Sequence, residues 1–280
     1  MEFIELLDET LDINSTENYE LSVQMSPDGF AFTILDTIRN KYVLLRATDN
    51  DNNKYLTAEK ASEIANKDDF LLKRFKKVNL VFPSSKFTLV PAPLFDPGKK
   101  EEYFTLNLIR GENEVILYNK IPEPDAYIVF SAAQSFFELA QQLYPSVYPF
   151  HHIKPLINQV SHNSNNITGS YVHVHVERGF FNLLISGNNI LKFSNTFLYR
   201  DITDILYYLF NVYKSMGMSH DGTIHLSGLT DRYDELYSNL ALYIRNIKFA
   251  RPSGNFSFSY VFNDIDLHKY INLFNITNCE

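Results

Sequence analysis

The chain has 280 residues, 45% hydrophobic and 21% charged, which is enough for two subdomains with separate cores. Its 33 acidic side chains against 25 basic ones give a formal charge of -8, a deficit of cations that argues against nucleic acid as a partner. No apolar run approaches the ~18 residues of a membrane span, the start (Met1-Glu2-Phe3-Ile4-Glu5) has no apolar signal core, and Cys279 is the one cysteine, so a cytoplasmic protein without internal disulfides is predicted.

Residues 1–19 read as an acidic lead-in. Over 21–26, Leu21, Val23 and Met25 alternate with Ser22, Gln24 and Ser26, the period of a half-buried strand. Pro27-Asp28-Gly29 predicts a hairpin turn in which Asp-Gly accommodates positive φ. Strands over 30–36 and 42–47 follow, joined by Ile38-Arg39-Asn40-Lys41. The run Asp49-Asn50-Asp51-Asn52-Asn53 is a polar loop that lacks the glycine and distal glutamate of a calcium loop. A helix is expected over 57–75 with Thr57 as N-cap. Its end carries Lys73-Arg74-Phe75-Lys76-Lys77, where cations suit the helix dipole better than they suggest a phosphate patch. The continuous apolar run 78–82 fits a strand buried on both faces.

Further on, 86–95 contains Pro91 and Pro93 and belongs at an edge, and 96–107 looks helical with Pro97 in its first turn. Strands are expected over 114–121 and 126–131, a helix over 132–144, a strand over 148–154 and a helix over 156–163. The polar stretch 161–168 marks a boundary, dividing the chain into lobes 1–160 and 161–280. The first pattern then returns: strands over 171–176, 180–186 and 190–197, a helix over 201–216, and a strand over 223–226 ending at Ser227-Gly228. Aligning Gly29 with Gly179, each followed by Phe, sets an offset of 150 residues but opposes Val23 to His173. A two-residue turn in the first copy and a bulged three-residue turn in the second would account for that slip in parity.

A three-stranded meander feeding a helix and a parallel strand, present twice, resembles the actin-like ATPase fold. That superfamily includes actin, sugar kinases, Hsp70-type chaperones and the bacterial FtsA and PilM proteins. The chain's size, its strands rich in Tyr (18) and Phe (23), and segments such as Tyr148-Pro149-Phe150-His151-His152 are similar to the DUF3822 family of Bacteroidetes, over roughly residues 20–270. The resemblance implies an α/β, two-lobed, duplicated actin-like (ribonuclease H-like) fold with mixed sheets flanked by helices.

It also implies a nucleotide cleft between the lobes. Two hairpin turns would wrap the phosphates, at Asp28 and Gly29 and at Glu177 and Gly179, while Ser227 and Gly228 would form the adenosine-side turn. These turns are degenerate. Pro27 removes a backbone donor, Phe180 and Phe181 stand where small residues are expected, and Leu229 replaces a second glycine. The chain has 10 glycines, about half the usual ~7%, and neither Gly-Gly nor Gly-x-Gly. The expectation is a pseudo-ATPase: a non-catalytic scaffold, without ATP or magnesium as cofactor, that binds a protein partner or itself. The alternative is an ATP-binding protein with an atypical interlobe pocket.

His173-x-His175 has a spacing used by some metal sites, but the sequence shows no converging third and fourth ligand, so no metal is assigned. Ser227 lacks the flanking glycines of a nucleophile elbow, and no catalytic residue is assigned. Phe180 and Phe181 begin a strand and point to opposite faces. One is expected in the sheet–helix core and the other in the gap between lobes.

Overall fold

The computed structural model describes residues 3–48, 55–164, 169–188 and 190–279. The polar run 49–53 therefore lies outside the described residues, as does the second half of the expected boundary stretch 161–168. The chain begins with β1 (Phe3–Leu7), the meander β2 (Tyr19–Ser26), β3 (Gly29–Asp36) and β4 (Lys41–Thr48), helix α1 (Ala58–Lys67) and β5 (Lys77–Phe82). β2 and β3, and β3 and β4, pair antiparallel, and β5 returns parallel to β2.

Two early expectations need correction. The acidic lead-in contains a strand: β1 pairs antiparallel with β4, and Glu5 lies directly opposite Arg46, whose Nε is 3.0 Å from its carboxylate. This cross-strand ion pair makes an acidic edge strand tolerable. The first helix also stops early. Thr57 caps it as expected, accepting from the Lys60 N–H, but Asp68 turns extended and its carboxylate accepts from the N–H groups of Phe70 and Leu71. The cation cluster 73–77 thus lies beyond the helix.

An insertion follows. β6 (Phe87–Pro91), α2 (Lys100–Thr105), β7 (Glu114–Ile121) and β8 (Ala126–Ala133) give an antiparallel sheet in the order β6-β8-β7, with the proline-ended strand at its edge. Helix α3 (Gln134–Leu143) leads to β9 (Phe150–His151), a two-residue strand parallel to β5, and α4 (Ile153–Ser164) starts immediately afterwards.

The second sheet repeats the first pattern with β10 (Ser170–Glu177), β11 (Phe180–Gly187), β12 (Ile190–Leu198), α5 (Ile202–Ser215) and β13 (Thr223–Gly228), followed by α6 (Glu235–Leu240) and β14 (Asn246–Phe249). Its order is β12-β11-β10-β13-β14, with β13 parallel to β10 and β14 parallel to β13. Both hairpins have two-residue turns, since Ser26 pairs with Gly29 and Glu177 with Phe180. The copies are therefore offset by 151 residues, not 150, and Val23 corresponds to Val174 with no slip in parity. A register irregularity falls between Ile34 and Leu35 in β3, and between Ile185 and Ser186 in β11, at the same offset. The glycines misled because they differ in role. Gly179 is the second turn residue at φ 76°, whereas Gly29 is the first strand residue after its turn and has no positive φ.

The last elements, β15 (Ser257–Phe258) and α7 (Ile271–Asn275), return to the first sheet. β15 pairs with β4, and the Tyr42 hydroxyl donates to the Phe274 carbonyl at 2.7 Å within a cluster of Phe256, Phe258 and Phe274 rings. Helix α4, inside which the expected division after residue 160 falls, packs on β10 and β11 and also against α7. One continuous apolar cluster runs from Leu21 and Val23 through Leu156 and Ile157 to Tyr171 and Leu184, joining the two lobes. No helix among the described residues is long and apolar enough to cross a membrane.

Candidate functional site

The alternation of β10 sends Val172, Val174 and Val176 into the second core beneath α5 and sends His173, His175 and Glu177 to the opposite face. On that face β13, parallel to β10, sets Ser227 beside His175. Ser227 Oγ lies 2.6 Å from His173 Nε2 and 2.7 Å from His175 Nδ1, and His175 Nε2 lies 3.0 Å from a Glu177 carboxylate oxygen. A hydroxyl has one proton, so one arrangement satisfies this chain with neutral rings. His173 Nε2–H donates to Ser227, Ser227 donates to His175 Nδ1, and His175 Nε2–H donates to Glu177. The Asn272 side chain of α7 adds a contact at 3.3 Å to His175 Nε2, tying the network to the helix that covers the first sheet.

A second pair crosses between the sheets. His152, at the β9–α4 junction, places Nε2 at 2.7 Å from Asn182 Oδ1 on β11 and accepts at Nδ1 from the Ser84 N–H. Asn182 in turn donates to Thr196. Phe180 is buried with its ring edge-on to His152, at 5.8 Å between centroids, whereas Phe181 is fully buried in the second core, stacked on Phe197. The two rings thus occupy opposite faces of β11.

Burial dominates the proton chemistry of this seam. It holds His173 and His151 well below the usual imidazole range and His152 at about 4, so these rings stay neutral near pH 7. Burial pushes the Glu177 carboxyl up, but its hydrogen bond from His175 and the nearby imidazoles outweigh this and hold it below its ordinary value. Asp28 is shifted the other way, raised by burial and by the Glu177 charge against the pull of Arg178.

The tips of the two hairpins meet. Arg178 Nε is 3.9 Å from Asp28 Oδ1, and the two side chains are 28% and 27% exposed. Asp28 and Glu177 thus come together across the lobes, and Ser227 joins Glu177 through His175. Gly179 shapes the second turn, and Gly29 stands one position past the first. Gly228 has φ 80°, and a Cβ there would lie 2.1 Å from the Val176 carbonyl oxygen, so only glycine permits this strand-to-strand approach.

The arrangement orders side chains without offering a nucleophile. Ser227 is fully buried and its hydroxyl is engaged as both donor and acceptor. Both strand histidines are committed to it. Elsewhere, ligand atoms of Asp231, Asp266 and His268 lie within 4.8 Å of one another, but Lys269 pairs with both acids, at 2.7 and 3.7 Å. Sequence reasoning singled out His173, His175 and Glu177 but missed His152, Asn182 and Asn272 as their partners. Only the pair His151-His152 carried a signal, and a lone Asn on a strand or helix carries none.

Comparison with known proteins agrees with this geometry at the level of fold. A family model described as "Protein of unknown function (DUF3822)" matches residues 8–247. A Bacteroides thetaiotaomicron crystal structure, described as a protein with actin-like ATPase fold and unknown function, superposes with a TM-score of 0.78 at 23% identity, covering 97% of this chain and 100% of that one. A chain of the PilM–PilN type IV pilus biogenesis complex superposes with a TM-score of 0.55 at 11% identity, covering 92% and 98%. No match is found among curated proteins.

Proposed function

This chain belongs to the family described as "Protein of unknown function (DUF3822)", and from that premise we propose that it is a non-catalytic actin-like scaffold of the cytoplasm that binds a protein partner. One observation carries the reading. The two hairpin tips that would flank the phosphates of a nucleotide in this fold are bridged by Arg178 and Asp28, above a seam filled by Phe180, His152 and the His175–Glu177 pair. A phosphate placed there would meet Glu177 and Asp28 and two hairpins that offer it little backbone: Pro27 has no N–H, and the N–H of Phe180 lies in the β11 ladder. Interlobe packing takes the place that bound nucleotide has in a working ATPase, which leaves outer surfaces for binding. The PilM–PilN complex shows that a protein of this fold can serve in an assembly, and this supports the partner-binding reading by analogy of fold alone.

Magnesium-ATP titration followed by thermal unfolding tests the proposal. A ligand at ~100 times its dissociation constant stabilises by about 2.7 kcal/mol, several degrees in a chain of this size. No shift at millimolar magnesium-ATP is expected. A magnesium-dependent rise would overturn the non-catalytic reading in favour of an atypical nucleotide pocket.

A further inference from the structure

On the scaffold reading, we propose that the groove along the outer edge of β14 captures an acidic, extended peptide segment of a partner protein as an added strand. β14 closes the order of the second sheet and pairs with β13 alone. A groove of about 1110 Å³ runs beside it, and every residue from 247 to 253 lines it. Side chains of a strand alternate between faces, so the three consecutive β14 residues in this lining, Ile247, Lys248 and Phe249, bring the groove round the strand's edge, and 250–253 extend it past the strand's end. Edge N–H and C=O groups of this kind are the template for strand addition.

Charge selects the peptide. The chain carries a formal charge of -8, yet Arg232, Lys248 and Arg251 gather on this groove. Among the described residues none of the three forms an ion pair, and the nearby acids Asp231 and Asp266 are both taken by Lys269. Three cations against Asp266 as the one acid in this lining, in a chain that is acidic as a whole, favour acidic ligands in both encounter and register. Between the charges, the stacked Tyr171–His225 pair (4.1 Å) and the Phe249–His268 pair (4.3 Å) give the walls apolar surface for alternate peptide side chains. The occupant is therefore a segment that alternates acidic and apolar residues.

Fluorescence anisotropy with a labelled short peptide alternating Glu with Val tests the proposal on the full chain. Binding is expected to weaken with salt and to disappear when Lys replaces Glu in the peptide. It should also disappear when alternate peptide nitrogens are methylated, a change that removes ladder donors but no charge. The exposed double substitution Lys248→Glu/Arg251→Glu should weaken binding at least about tenfold at an unchanged melting temperature. Three results would each overturn the proposal: no binding at millimolar peptide, equal binding by the charge-reversed variant, or equal binding by the methylated peptide, which would mark a plain anion site. Self-association abolished by the same double substitution would also overturn it, giving the edge to a second copy of the chain. The seam reading fails separately: a magnesium-ATP shift alongside intact peptide binding removes that reading and leaves the groove, on a scaffold that also binds nucleotide.

Discussion

The two sheets begin from the same unit and are covered differently. At the 151-residue offset, Leu21, Val23 and Met25 match Val172, Val174 and Val176, all buried beneath helices of their own lobe. The opposite faces diverge. Ser22 and Gln24 stand where the second sheet has His173 and His175, and Val81 stands where it has Ser227. Val81 is covered by Ile276 and Cys279 of the returning tail and Tyr42 by Phe274, while Asn79, buried on the same face as Val81, donates to Glu20. The second sheet presents its second face to the seam as a hydrogen-bonded histidine network. Core alternation has been kept in both copies, and the surface facing the other lobe is what has changed.

The strongest way to break this correspondence is to remove its matched core rings. Phe30 and Phe181 are equivalent at the offset, and both are buried, at 3% and 0% exposure. Phe30→Ala and Phe181→Ala should each destabilise by about 3–5 kcal/mol in denaturant unfolding. Phe180→Ala, which touches the seam through His152, should lose less, and the double variant at 180 and 181 should exceed either alone. A Phe181→Ala protein of unchanged stability would remove the core equivalence, and a Phe180→Ala protein of unchanged stability would remove the packed seam.

Acid should test the seam next, because its buried histidines come from both sheets, His151 from β9 at the edge of the first and His173 from β10 in the second. A buried histidine held at about 4 in the fold takes a proton near 6.5 when unfolded. The unfolded state therefore binds more protons between these values. Stability is complete above about 6.5 and falls as pH drops toward 4, by about 3 kcal/mol for His152 alone. His151 and His173 act in the same direction, and Glu177, held below its ordinary value, adds a loss at lower pH. Unfolding midpoints across this range should flatten in a His152→Gln variant. An equal pH slope in that variant would place the acid lability outside the seam.

The difference between the two faces also explains what could be read from the sequence. Strand alternation, the turn residues and the apolar run 78–82 gave the meander–helix–strand order, since each is a local property of a few neighbouring residues. Strand β1 was hidden because Glu2 and Glu5 make residues 1–19 look solvated; the tolerance of Glu5 in the strand depends on Arg46, some forty residues away. The seam was hidden for a stronger reason. His152, Asn182, Ser227 and Asn272 converge from four separate elements, and no periodicity links them. The offset was misread by one residue because a glycine was taken as the anchor of each turn, although only Gly179 adopts the conformation that calls for one.

That contrast between the turns gives a smaller, sharper test. Gly179 has φ 76° with no atom within 4 Å of an added Cβ, so Gly179→Ala meets strain without a clash and should lose about 1 kcal/mol. Gly29 has no positive φ, and Gly29→Ala escapes that backbone penalty. Equal losses at the two positions would mean that positive φ is not what sets Gly179 apart from Gly29.

The smallest effect belongs to the contact that carries the functional proposal. Arg178 and Asp28 are partly exposed and 3.9 Å apart, so a double-mutant cycle should give a coupling of only about 0.5 kcal/mol or less. Asp28 is already raised by burial and by the Glu177 charge, and Arg178→Ala removes a cation that lowers it, so the Asp28 carboxyl should rise further. Stability and occlusion then separate. The Arg178→Ala protein should unfold close to wild type yet still show no magnesium-ATP shift, because Phe180, His152 and the Glu177 charge continue to fill the seam. If that one truncation admits nucleotide, a single side chain is the barrier and the cleft is gated. If it does not, the seam is closed by packing that both lobes share.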